Sequence, residues 1–302
     1  MGEDNAEARV MSMGDAAGHD LMPAAFLGHG NPMNALQDNR YTRAWRAFGA
    51  SAPRPRAILV VSAHWYINAT AVTAMPKPRT IHDFYGFPQP LFDIDYPAPG
   101  LPDLAAEVSE VVKPTWVGAD VDSWGIDHGT WSVLLHAFPN ADIPVVQLSI
   151  NANKDFDYHL ELGAKLAPLR ERGVLIVGSG NVVHNLGGMS RTLPESGYDW
   201  AQRFNEQVKE TMADDPSDTL ALDRHRDFHH AVPTPDHFIP LLYLAGLAGA
   251  SNRGAEVLID GYSYGSLSMT AYTLDLTCDG AADGKAPAAQ LPENVPPDGA
   301  NI

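Results

Sequence analysis

Residues 57–65, AILVVSAHW, decide how this chain folds. Their first five positions are apolar with no polar residue alternating between them, so a strand built from them is buried on both faces, as in a parallel sheet covered by helices. The run leads directly into His64. Three further runs, at residues 23–28, 144–150 and 174–179, share this character and are bounded by Gly, Pro or Asn. Around them, residues 41–49, 101–112, 130–138, 156–172 and 200–212 carry helical spacing, and strands at 256–260 and 268–274 follow. This alternation predicts one α/β domain with a mostly parallel central sheet and helices on both faces. Its active site should lie at the carboxyl ends of the strands, where open sheets of this class bind ligands. No internal repeat of fixed period is present.

The 302 residues include 37 acidic and 20 basic side chains, a formal net charge of -17. A field of that sign repels polyphosphate and anionic lipid surfaces, so neither nucleic acid nor membrane is an expected partner. A single cysteine, Cys278, cannot form an internal disulfide and suits a reducing, cytoplasmic setting. Residues 1–21 carry acids where a secretory signal carries basic residues, and they read as a disordered lead. Residues 278–302 are rich in Ala, Pro and Gly with little that is large to bury, and they read as a disordered tail. The folded body is then residues 22–277. Within it the apolar run 238–248 contains Pro240 and falls short of a membrane span, which takes about 20 residues.

Several of the twelve histidines fall where strands end. His29 follows the run 23–28, His64 follows 57–63, and His184 comes shortly after 174–179. Rings delivered from three strand ends can converge however far apart they lie in the chain. His29 sits between two glycines and before Asn31 and Pro32, so its backbone can turn tightly and approach an ion. His237, in PTPDHFIP, opens an apolar helix after two prolines that fix the chain direction. His128, in the triplet Asp127-His128-Gly129, marks a helix start where Asp127 or Thr130 is the expected cap. His82 lies in a long loop, residues 80–97, with Phe84, Tyr85, Phe87, Phe92 and Tyr96; long ordered loops are usually functional. His19, His136, His159, His225, His229 and His230 have no strand-end context.

The sequence holds no cysteine cluster, HExxH helix or Walker-type loop, which sets aside zinc fingers, zincin proteases and nucleotide hydrolases. An imidazole-rich site with few carboxylates suits iron, zinc or copper and disfavours magnesium and calcium.

The motifs FLGHGNPMNAL, VVSAHW, TIHDFYGFP, YPAPG, WGIDHGTW, PVVQLSI, SGNVVHNL, PTPDHFIPLLY and GSLSM follow one another across residues 22–274. Together they resemble the class III (LigB-type) extradiol ring-cleavage dioxygenases, in particular the DOPA 4,5-dioxygenase subgroup. The resemblance implies that 22–277 is a catalytic domain, that His29, His64 and His237 bind a metal, and that His184 is the acid/base histidine. In metal-filled members His184 can also lie close enough to count as a fourth ligand. His128 is implied to contact the substrate or support the site, and His82 is a weak substrate-binding candidate in the aromatic loop. Ferrous iron is the implied active metal, zinc can occupy the same imidazoles, and the implied reactants are a catechol and O2. Cleavage of DOPA or a similar catechol would give a muconic semialdehyde, 4,5-seco-DOPA, which cyclises to betalamic acid. The alternatives are a zinc-dependent hydrolase on the same scaffold and a non-catalytic binding protein of the same fold. The presence of both His184 and His128 argues against a mere binder.

Overall fold

The computed structural model describes residues 21–279 and 286–296. The strands are β1 Ala24–Gly28, β2 Ala57–Ile67, β3 Ala71–Thr73, β4 Gly118–Asp120, β5 Val145–Asn151, β6 Val174–Gly180, β7 Glu256–Ile259, β8 Tyr262–Ser263, β9 Leu267–Ser268 and β10 Ala271–Leu274. The helices are α1 Arg40–Ser51, α2 Gln89–Phe92, α3 Pro102–Val111, α4 His128–Ala137, α5 Phe156–Lys165, α6 Ala167–Glu171, α7 Asp199–Asp214, α8 Phe228–Ala231 and α9 Ile239–Ser251. Eight strands form one sheet in the order β4-β3-β5-β2-β6-β1-β10-β7, while β8 and β9 pair separately. The centre, β5-β2-β6-β1, is parallel throughout. Antiparallel seams lie outside it, where β3 meets β5 and where β10 meets β1 and β7.

Successive side chains on the central strands enter opposite layers. Ala24, Phe26, Leu59, Val61 and Ile176 join one core with α3, α5, α6, α7 and α9. Ala25, Leu27, Ile58, Val60, Leu175 and Val177 join the other with α1 and α4. Because both layers are apolar, these strands read as continuous runs and not as alternating ones. The expected single domain with helices on both faces is therefore what forms.

The structure departs from expectation in four places. The helix expected over 156–172 is two, α5 and α6, since Pro168 has no N–H with which to continue the first. The strand expected over 268–274 is split between β9 and β10. β2 does not stop before His64 but runs to Ile67. Finally, part of the tail expected to be disordered over 278–302 is packed: Ala288, Leu291 and Val295 are buried against the core of α1 and α4, and Ala289 between them is also buried. The lead expected over 1–21 lies, apart from Leu21, outside the described residues. Among the described residues, no helix is long and apolar enough to cross a membrane.

The irregularity in β2 creates the site. Val61 pairs with Leu148 and Tyr66 with Ile150, so β2 advances five residues while β5 advances two. The intervening residues leave the ladder with β5, although Ser62 still pairs with Ser179 of β6, and His64 comes to lie with its Nε2 3.3 Å from that of His29, just beyond β1.

Candidate metal centre

Five histidines meet at the carboxyl ends of the parallel strands. His29 follows β1, with its N–H on the carbonyl of Gly180 at 3.1 Å. Ring centroids of His29, His64 and His237 form a nearly equilateral triangle, 5.2 Å for His29–His64, 5.3 Å for His29–His237 and 5.2 Å for His64–His237. His128, the first residue of α4, lies 3.9 Å from His64 and 6.1 Å from His29. His184 stacks on His237, centroids 3.5 Å apart and planes at 4°. In terms of atoms able to bind an ion, His29, His64 and His128 form one close group and His184, Asp236 and His237 another. The His29–His64–His237 triangle spans the two.

Hydrogen bonds to the outer nitrogens settle which way each ring faces. Ser179 donates its hydroxyl to the carbonyl of Gly129 at 2.5 Å, so its oxygen accepts the Nδ1–H of His29 at 2.9 Å. His64 directs Nδ1 at Asp83 Oδ2, 3.2 Å away, and His237 directs Nδ1 at Asp236. Each ring is thereby left with a lone pair on Nε2. The Nε2 atoms of His29 and His64 face each other at 3.3 Å, and Nε2 of His237 is buried with no hydrogen-bond partner. Lone pairs pointed at one another repel, and a buried acceptor without a donor is costly; a cation among the three relieves both. The donor set fits a non-haem transition metal, with outer nitrogens anchored as metal-bound histidines usually are.

Burial favours the neutral form of His29, His128 and His237, the form in which an imidazole can bind a metal. Burial, reinforced by the neighbouring histidines His64, His237, His128 and His184, holds His29 well below the usual imidazole pKa. Burial also lowers His237 and His128, against the opposing pull of Asp236 and Asp83 respectively. His64 differs: burial pulls it down, but the Asp83 carboxylate leaves it raised overall. Burial alone would raise Asp83, yet His128 and His64 hold it well below the ordinary carboxylate range.

Sequence reading did not single out these carboxylates. Asp83 receives the Nδ1 of His128 at 2.9 Å on one oxygen and that of His64 on the other, so one side chain orients two rings. Asp236 immediately precedes His237 in the chain. Asp127 caps α4 as expected, accepting from Thr130 N at 3.0 Å, and also accepts from Ser62 at 2.7 Å and Gln147 at 2.7 Å. His82 is not brought to the cluster: its Nε2 donates to the carbonyl of Ile94 at 2.8 Å, and its ring packs near Phe84, Phe92 and Trp131. Phe84 takes its place beside His128, with centroids 5.4 Å apart.

Two glycines permit this crowding. A Cβ on Gly180 would lie 2.2 Å from the carbonyl oxygen of His237, and one on Gly129 would lie 2.7 Å from both His64 Cδ2 and Ser62 Oγ. Gly129→Ala is expected to cost about 1–3 kcal/mol in urea unfolding through overpacking, and to weaken zinc retention because His64 is the atom group that must yield. Unchanged stability and retention would show that the contact is slack.

Comparison with known proteins now adds to the geometry. Residues 24–275 match the family of the catalytic LigB subunit of aromatic ring-opening dioxygenase, and the chain belongs to that family. It is an extradiol ring-cleavage dioxygenase with a non-haem metal centre. It is 49% identical over 252 residues to the 4,5-DOPA dioxygenase extradiol of Escherichia coli K12, covering 82% of this chain and 93% of that one. The protein of the same name from Beta vulgaris is 33% identical over 260 residues, covering 83% and 96%. The crystal structure of an uncharacterized Escherichia coli K12 protein superposes with a TM-score of 0.73 at 44% identity, over 84% of this chain and 99% of that one.

Proposed function

We propose that this enzyme opens the ring of DOPA, or a catechol like it, between C4 and C5 at a ferrous ion held by His29, His64 and His237. The observation that carries the reading is the convergence of three Nε2 lone pairs whose opposite nitrogens are all tied down. Ferrous iron, when bound, supplies the redox chemistry that lets a catechol react with O2, which zinc does not.

The chain's own residues supply the proton handling. His184 lies face to face with the ring of His237, so a catechol hydroxyl arriving there can pass its proton to the His184 imidazole. His128, fixed through Nδ1 by Asp83, keeps Nε2 buried and available to hydrogen-bond a reacting oxygen. Phe84 beside it offers an apolar ring edge to the aromatic substrate and helps exclude water. Both oxygen atoms of O2 end in the ring-opened semialdehyde, and the proton taken up by the base is returned to it. The lone Cys278 fits an enzyme working in the cytoplasm.

Anaerobic reconstitution with ferrous iron, followed by DOPA and oxygen, should give oxygen uptake and a yellow ring-opened product. The zinc-loaded protein should consume no oxygen. Ester or amide hydrolysis by that zinc form, with no oxygen uptake by the iron form, would overturn the reading in favour of a hydrolase.

A further inference from the structure

We infer that residues 286–296 form a strap, docked in cis, that locks together the two loops carrying His29 and His184. The segment lies outside residues 24–275, which match the family. It is held chiefly through its backbone, which explains why its Ala- and Pro-rich composition hides it.

The first anchor is at Ala289. Its carbonyl accepts from Asn31 Nδ2 at 2.6 Å and its N–H donates to Asn34 Oδ1 at 2.8 Å. Asn34 in turn donates through Nδ2 to the carbonyl of His29 at 3.0 Å. Two hydrogen bonds therefore connect the strap to the backbone of a proposed metal ligand, and both Asn31 and Asn34 are fully buried. The second anchor is at Leu291, whose N–H donates to the hydroxyl of Tyr264 and whose carbonyl accepts from Arg191 at 2.9 Å. Arg191 also donates to the carbonyl of Pro292 at 2.8 Å. The chain leading from His184 to Arg191 is itself pinned to Tyr264 by the N–H of Ser190 at 2.8 Å. Buried Leu291 and Val295 add apolar contact, Val295 against Gly86 in the aromatic loop next to Phe84 and Phe87.

A segment whose removal leaves the amide of Asn31, the amide oxygen of Asn34 and the phenol of Tyr264 without these partners loosens the loops they belong to. The consequence falls on how firmly the site holds its metal and how well the two histidines are placed. Asn34 is thus a positioning residue, acting through His29. This inference rests on the proposal that His29 is a ligand.

The test is a full-length protein with a specific protease site substituted within residues 280–285, loaded with zinc and cut while folded. The cut protein should release zinc to a chromogenic chelator about tenfold faster once the freed peptide is removed, in line with losses on removing outer support at metal sites. Adding back a synthetic peptide of residues 286–296 should restore slow release. Hydrogen exchange should rise at residues 29–34 and 185–191 and not across α5 or α9. Leu291→Asp in the uncut chain should reproduce both changes if the peptide stays bound after cutting. Equal release rates with the peptide gone, or exchange rising evenly over the whole domain, would overturn the strap. Failure of the intact protein to bind zinc at all would instead count against the metal-site reading.

Discussion

His184→Ala should remove turnover while the metal stays bound, with oxygen uptake falling by about a hundredfold to ten-thousandfold, the usual worth of a positioned acid/base group. The argument is geometric. A metal bound by an imidazole lies in the plane of that ring, on the axis of the nitrogen lone pair. The rings of His184 and His237 are parallel within 4° and 3.5 Å apart, so their planes stay separated by most of that distance. The in-plane lone pairs of His184 and His237 therefore lie in separate parallel planes, so an ion held by His237 would not be offered one by His184. The same stacking places His184 against whatever His237 binds, which is the position a proton acceptor needs. Metal content measured alongside oxygen uptake separates the two roles. If iron and activity vanish together, His184 is a ligand and the stack must open when metal enters.

Removing Asp83 should do more damage to the metal centre than removing any other single residue that does not touch the ion. Its two oxygens hold the Nδ1 atoms of His64 and His128, and its Oδ1 also accepts the backbone N–H of His128 at 3.0 Å. Asp83→Ala frees two buried rings at once, and a loss of about 10–100-fold in zinc affinity is expected, together with a deeper loss of oxygen uptake because His128 is also unfixed. Asp83→Asn keeps the size but presents an amide NH2 to one of the two Nδ1–H groups, so one ring must change tautomer or turn. It should fall between the wild type and Asp83→Ala. Asp236→Ala, which releases only His237, gives the comparison in competition titrations against a chelator. Wild-type affinity in Asp83→Ala would show that packing alone orients His64.

Much of this arrangement was legible in the chain, and what was missed has physical causes. The four central strands stood out because burial on both faces makes them continuous apolar runs. Short outer strands such as β3 and β4, three residues each, carry no pattern long enough to read. The strand-end rule pointed to His29, His64 and His184, and the prolines before an apolar helix pointed to His237, whereas His128 read as an ordinary helix start until the family resemblance gave it a role. In the aromatic loop the eye fell on His82, but adjacent residues of an extended segment point in opposite directions. His82 turns to Ile94 while Asp83, its neighbour, turns to the metal site. Asp236 was overlooked beside His237 although the two side chains point at each other, the carboxylate facing Nδ1 of the ring. The docked part of the tail escaped because main-chain hydrogen bonds leave no mark on composition; Asn31 and Asn34, which capture it, look like ordinary turn and cap residues.

The unequal count of residues in β2 and β5 has a further implication for how such enzymes can vary. In a regular strand, a change of one residue in length would shift every later side chain to the opposite layer, so the interior and the reactive end could not be altered separately. Here the surplus residues sit between Val61, still in step with its neighbour, and Tyr66, where pairing resumes. The extra length is a margin: the chain can be lengthened or shortened at that point, resetting the reach of one imidazole, while the apolar layers beneath keep their fit.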